Sequence, residues 1–143
     1  MATQSTIWIS NVGKQGHKIY VGQYCHFDGY LNGVGKILLE QYTDEEKIRK
    51  MIALGSMSSI GASIECPEGH TYDTPIDGYT VFYTRDRGEP MSFYLTEEKL
   101  DTINKYGERY NYLYDDGQWM VQYWANSTFV PLKEELENYI QKD

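Results

Sequence analysis

His26 and Asp28 lie two residues apart in an extended run, and on a strand that spacing puts both side chains on one face. A carboxylate so placed orients an imidazole and raises its pKa, so the pair could move a proton, bind a ligand or hold the exit of the strand. No Ser or Cys sits in a nucleophile-elbow pattern to complete a hydrolytic set. The second candidate is Arg85-Asp86-Arg87-Gly88-Glu89, which contains two of the chain's four arginines. Guanidinium forks bind carboxylates and phosphates through paired hydrogen bonds. The block therefore reads as an internal ion-pair cluster with Asp86 and Glu89, or as a phosphate or partner contact.

Two further arrangements are less complete. Gly33-Val34-Gly35-Lys36 precedes a helical pattern as a phosphate loop would. However, position 30 is Tyr rather than Gly, and Lys36 is followed by Ile37 rather than by the Ser or Thr that holds magnesium. A glycine-rich start to a helix is the expectation. Cys25, His26, Cys66 and His70 offer zinc-ligand chemistry, but neighbours on a strand point to opposite faces, which keeps Cys25 and His26 from easily joining one metal. A buried cysteine, a loop histidine, no metal and no cofactor are expected.

Periodicity gives the positioning elements. Residues 5–12 alternate Ile7 and Ile9 with polar neighbours, and after a turn at 13–16 a second strand is expected over 17–28. Its faces are Ile19, Val21, Cys25 and Phe27 on one side and Tyr20, Tyr24, His26 and Asp28 on the other. Gly29, Asn32, Gly33 and Gly35 break it, after which Val34, Ile37, Leu38 and Tyr42 fall at helical spacing. Thr43 and Glu46 stand in a capping-box relation, which predicts a helix that buries Ile48, Met51 and Ile52 and stops at Gly55. Residues 56–78, rich in Ser, Gly, Pro and Asp, are the longest irregular stretch, and long ordered loops often carry function. Strands are expected at 79–84 and 91–95, then a helix capped by Thr96 and carrying Leu100 and Ile103.

The clearest hairpin pairs 108–115 with 118–124 about Asp116-Gly117, a dipeptide suited to the positive φ angles of a type I′ turn. Its register opposes Tyr114 to Trp119, Tyr112 to Val121 and Tyr110 to Tyr123. That face is either core beneath helices or a binding platform built on Tyr110, Tyr112 and Trp119. Pro131 opens a last helix with Leu132, Leu136, Tyr139 and Ile140 on its buried side. Strands and helices are segregated, which predicts a single α+β domain over 1–143, a mainly antiparallel sheet with three to four short helices.

Composition narrows the function classes. A length of 143 residues suits one domain, the 41% hydrophobic fraction supplies a core, and no apolar run is long enough for a membrane span. Lys and Arg number 13 against 21 Asp and Glu, and the net charge of -8 disfavours binding nucleic acid. The residues after Met1 show no basic-then-apolar leader, so a reducing cytosol is expected and the Asn126-Ser127-Thr128 sequon carries no meaning. Tyrosine is over-represented, at 14 residues. Its ring packs as an apolar plate while its hydroxyl seeks water or a partner, which suits binding surfaces.

The run Tyr24-Cys25-His26-Phe27-Asp28-Gly29-Tyr30 is followed by Gly33-Val34-Gly35, Leu38-Leu39, Tyr42, Glu46-Lys47, Ile52-Ala53-Leu54-Gly55 and Ser58-Ser59. In these blocks the chain resembles a family of small proteins encoded by tailed bacteriophages, prophages and plasmids, whose pattern is a YCHWDGYP run, a Gly-plus-Leu helix start and a LIALGDLSSL run. The later Tyr83-Thr84-Arg85-Asp86-Arg87-Gly88-Glu89 is similar to that family's second block, RDRGE. The likeness covers most of the first 90 residues and is loose beyond them, with Phe27 in place of the usual Trp and Leu31 in place of the usual Pro.

The resemblance implies a context rather than a mechanism: a phage-type accessory protein that acts in the host bacterial cytoplasm and counters antiviral defence by stoichiometric binding. In the first version it inhibits a host immune protein by docking an acidic, Tyr-rich surface on it. In the second it is a sponge for a nucleotide-derived immune second messenger, held by His26, Asp28, Arg85 and Arg87 with tyrosine stacking. An enzyme acting on such a messenger is the third reading, since no catalytic constellation is complete. Homo-oligomerisation stays open. The candidate ligand- or partner-binding residues are Tyr24, His26, Asp28, Tyr30, Arg85, Asp86, Arg87, Glu89, Tyr110, Tyr112 and Trp119. The sponge reading further requires that the 24–30 and 85–89 blocks lie side by side.

Overall fold

A computed structural model describes residues 2–12, 16–91, 94–96, 108–123 and 128–141. In chain order they form β1 (Ser5–Val12), β2 (Lys18–Cys25), a π-helical segment (Leu31–Gly35) that runs into α1 (Lys36–Gln41), α2 (Glu45–Leu54), β3 (Met57–Ser59), β4 (Val81–Phe82), α3 (Tyr83–Arg87), β5 (Tyr94–Thr96), β6 (Tyr110–Asp115), β7 (Gln118–Tyr123), β8 (Val130–Pro131) and α4 (Leu132–Gln141). The strands make one sheet in the order β4-β3-β2-β1-β6-β7-β8, with β5 also pairing β2. Most pairs are antiparallel, and the helices pack apart from the strand succession, so the fold class is α+β.

Two hairpins carry the local part of this order. β1 and β2 pair from Ser5 against Cys25 to Val12 against Lys18. β6 and β7 pair in the expected register, Tyr114 opposite Trp119, Tyr112 opposite Val121 and Tyr110 opposite Tyr123, around Asp116 (φ 51°) and Gly117 (φ 78°). The two hairpins join through a parallel β1–β6 pair that sets Thr6 against Asn111. Buried polar groups define that register: the Thr6 hydroxyl donates to Asn111 Oδ1 at 2.6 Å, and Trp8 Nε1–H donates to Thr6 Oγ1 at 2.7 Å. Asn111 Nδ2 in turn donates to the Glu108 carbonyl and to Gln122 Oε1. A slip of the strands would leave these groups unpaired inside the protein, at about 1–3 kcal/mol each.

The main core lies between one sheet face and the helices, where Ile7, Ile9, Tyr112, Trp119 and Val121 meet Leu38 of α1, Ile48 and Ile52 of α2 and Leu132 of α4. The opposite face has a smaller cluster of Trp8, Tyr20 and Leu113. There the Trp8 indole lies flat on Gly22, its partner across β1–β2, so close that any Cβ at position 22 would collide with the ring.

Several boundaries differ from the sequence expectations for physical reasons. The second strand ends at Cys25, because Asp28 adopts φ 60° and turns the chain, which leaves Phe27 at 43% exposure instead of on the buried face with Cys25. Asp44, rather than Thr43, caps α2, its carboxylate accepting the Glu46 amide, while Ile48, Met51 and Ile52 are buried and Gly55 ends the helix as expected. Within 56–78 the short β3 pairs with β2 and β4, a pairing with no local periodicity to announce it. The strand expected at 79–84 is only Val81–Phe82, and Tyr83–Arg87 coils into α3, closed by Gly88 at φ 79°. The strand expected at 91–95 falls on Tyr94–Thr96. Pro131 closes β8 and α4 starts one residue later; Leu132 and Leu136 are buried, but Tyr139 is 43% exposed. The helix expected after Thr96, with Leu100 and Ile103, and the sequon at Asn126 and Ser127 lie outside the described residues.

Candidate functional site

Residues 24–30 leave the sheet at the end of β2. Their backbone is tied to β3 by His26 N–H donating to the Met57 carbonyl and Phe27 N–H donating to the Ser58 carbonyl, both at 3.0 Å. The turn that follows is internally saturated. Val34 N–H bonds the Asp28 carbonyl, and the Gly33 and Gly35 amides both bond the Tyr30 carbonyl. Gly33 is required there, since a Cβ would strike the Asp28 carbonyl oxygen. The amides that a phosphate loop would present to an anion thus serve the turn itself, and the buried Tyr112 hydroxyl fastens it by donating to the Gly29 carbonyl at 2.6 Å.

His26 is positioned by Tyr24 rather than by Asp28. The Tyr24 hydroxyl lies 2.6 Å from His26 Nδ1. Burial pushes the Tyr24 phenol up to about 12, with nearby Tyr83 and Glu108 adding to the shift and a Gln4 hydrogen bond opposing it. The phenol therefore keeps its proton at neutral pH, and its contact with Nδ1 is a hydrogen bond between a neutral hydroxyl and the ring. Asp28 instead accepts from the Tyr30 hydroxyl at 3.3 Å, and its carboxylate raises the Tyr30 pKa, with a further contribution from Tyr139 of α4. Phe27, Tyr30 and Tyr139 are exposed by 43%, 40% and 43%. The result is an aromatic edge beside a half-buried imidazole and a carboxylate.

Residues 85–89 lie on the other side of β3, where Tyr83 N–H donates to the Ser56 carbonyl. The two blocks are neighbours across one strand, yet no hydrogen bond or ion pair joins their side chains among the described residues. Arg85 turns inward. Its Nε lies 2.9 Å from Asp86 Oδ1, and its terminal nitrogens donate to the carbonyls of Ile64, Glu65 and Thr80. The Asp86 carboxylate, 1% exposed, also accepts the Phe82 amide at 2.8 Å and lies 3.5 Å from His70 Nε2. Burial alone would push the Asp86 carboxyl up, but the hydrogen bond from Arg85, the Phe82 amide and the charge of Arg85 bring it below its ordinary value. His70 completes the cluster by accepting the Ile76 amide at Nδ1. Arg87 stacks over Tyr72, 4.6 Å from the ring centroid. Glu89 borders a hollow of about 150 Å³ with Ser56, Tyr83, Thr84 and Pro90, well below the ~300–1,000 Å³ of small-molecule sites.

The aromatic hairpin face separates into two parts. Tyr112 and Trp119, candidate binding residues for which the sequence leaves core and binding platform open, are core: they are 0% and 5% exposed, and Trp119 Nε1–H donates to the Tyr42 carbonyl. The helices above this face exclude solvent from it. Tyr110 stays half-buried at its margin, stacked on Tyr123.

Metal chemistry finds no assembly here. Cys25 is wholly buried, and that burial pushes its thiol up to about 12, while Cys66 lies on the exposed loop. Among the described residues no group of three or more His, Cys, Asp and Glu converges, and no described helix is long and apolar enough to cross a membrane. Sequence reasoning missed His70 as Asp86's partner, and Tyr72 and Tyr139 as neighbours of the two blocks, because each contact joins separate elements with no spacing rule between them. No family model, no curated protein and no solved structure matches this chain.

Proposed function

We propose that this chain is a phage-type accessory protein that counters a host antiviral defence by binding a host immune protein stoichiometrically. Its docking surface is the aromatic edge of Phe27, Tyr30 and Tyr139, together with the His26 ring and the carboxylate of Asp28. The observation that carries this reading is the division between the two blocks. Phe27 and Tyr30 face solvent on a chain of net charge -8, whereas the Arg85 fork is engaged with Asp86 and three backbone carbonyls. A messenger sponge needs cations free to neutralise phosphates; a docking surface needs exposed aromatics of low conformational entropy with charge around them, which is what residues 24–30 offer.

The test uses the tagged full chain as bait in phage-infected host lysate, with mass spectrometry of both protein and heat-released small molecules. The Phe27→Ala/Tyr30→Ala double variant is expected to keep its melting temperature, lose the captured host protein and lose protection of the phage. Raising the salt is expected to slow association with the purified partner, because charge steering is screened. A double variant that still protects, or a nucleotide released by heat from the wild type with no protein partner, would overturn the reading.

A further inference from the structure

We propose a second, separate binding site: the groove between α2 and the β1–β2 hairpin takes a small amphipathic anion, an alkyl or aryl carboxylate. The register that sets Ile9 opposite Val21 puts both on the face that α2 crosses. Together with Ile52 and Ala53 of α2, and with Met91, they enclose about 380 Å³. That volume is in the range of small-molecule sites, and the lining is apolar with few polar groups, as such sites are built.

The polar groups at its border specify the charge of the occupant. Gln23 is not free to bind, because its amide donates to the Ile52 carbonyl at 3.0 Å and accepts from Ser56 Oγ at 2.9 Å. What remains is Arg49, whose guanidinium donates to Asn11 Oδ1 and reaches Glu45 Oε2 only at 3.5 Å. The side chains of that ion pair are 43% and 56% exposed, and such pairs contribute little. A guanidinium has five N–H donors in a fork that matches a carboxylate. An anion seated at the mouth would therefore meet the one charged group among the described lining residues, and its hydrocarbon would lie along Val21, Ala53 and Met91 above the buried Ile9 and Ile52. An alkylammonium would meet repulsion in the same place.

The experiment titrates the native full chain with anilinonaphthalenesulfonate, an aryl body with one anionic group, and displaces it with decanoate or with decylammonium. Saturable one-to-one fluorescence enhancement is expected in protein that melts cooperatively, with displacement by decanoate and not by decylammonium. Arg49→Gln is expected to weaken binding about tenfold, the loss of one charge-assisted contact. Ala53→Trp should abolish binding by filling the groove from the exposed side of α2; Ala53→Leu serves as the second variant where the larger ring impairs folding. The proposal is overturned by absence of saturable binding, by equal displacement by the ammonium, by Arg49→Gln binding as the wild type does, or by dye binding that persists in a folded Ala53 variant.

Discussion

Residues 24–30 and 85–89 leave the sheet on either side of β3, the first as a polar turn after β2 and the second in the short helix α3 and its Gly88 end after β4, and both contain groups that a binding site would use. In the first, Tyr24 orients His26, the turn amides are closed on Asp28 and Tyr30 carbonyls, and Phe27 and Tyr30 are left outside. In the second, Arg85, Asp86 and His70 close upon one another and upon the carbonyls of the 61–80 loop. The difference teaches that charge is a poor guide to a free site. A guanidinium beside a long loop has backbone carbonyls within reach, and it binds them. An aromatic ring at a strand exit has no comparable demand and can stay exposed.

The largest effect is expected where the inward block is broken. Asp86→Ala leaves Arg85 and the Phe82 amide without their acceptor and should cost about 3–5 kcal/mol, the penalty for removing one member of a buried ion pair. Chemical denaturation measures it, and a loss below about 1 kcal/mol would return the block to the pool of free binding residues. Arg85→Lys is milder. It keeps the charge but not the fork that reaches three carbonyls and a carboxylate, so about 1–3 kcal/mol should go, and protease cutting within 61–80 should rise.

Acid sharpens the same contrast. Because the folded Asp86 pKa lies below its ordinary value of about 3.9, its contribution is complete above the unfolded pKa and is lost as pH falls through the folded one. Stability measured downward from about pH 5 should therefore fall in the wild type, and the part of that fall due to Asp86 should be missing from Asp86→Asn. The smallest effect belongs to the outward block. Tyr24→Phe removes one hydrogen bond and should cost about 1 kcal/mol. It should also shift the His26 ring-nitrogen resonances, since Nδ1 loses its hydroxyl partner. Unchanged resonances would mean that Tyr24 does not engage the His26 ring.

Elements whose cause is local could be read from the chain by itself. Asp116-Gly117 accepts two positive φ values at once, so the turn, the β6–β7 register and the pairing of Tyr112 with Val121 follow from a dipeptide. Helix α2 follows from apolar spacing and Gly55, with only its cap displaced by one residue to Asp44. The segregation of strands from helices was enough for the α+β class. Tertiary structure alone decided the rest. The parallel β1–β6 pair joins residues about a hundred positions apart through buried Thr6 and Asn111, and no periodicity encodes such a pairing. The same holds for which tyrosines face water: Tyr112 and Tyr30 are alike as residues, but helices cover the first and nothing among the described residues covers the second. Arg85 could be named from the sequence as a chemical group, but whether its fork was free depended on where the 61–80 loop placed its carbonyls, because a charged group in a folded chain is first claimed by the unpaired polar atoms within its reach.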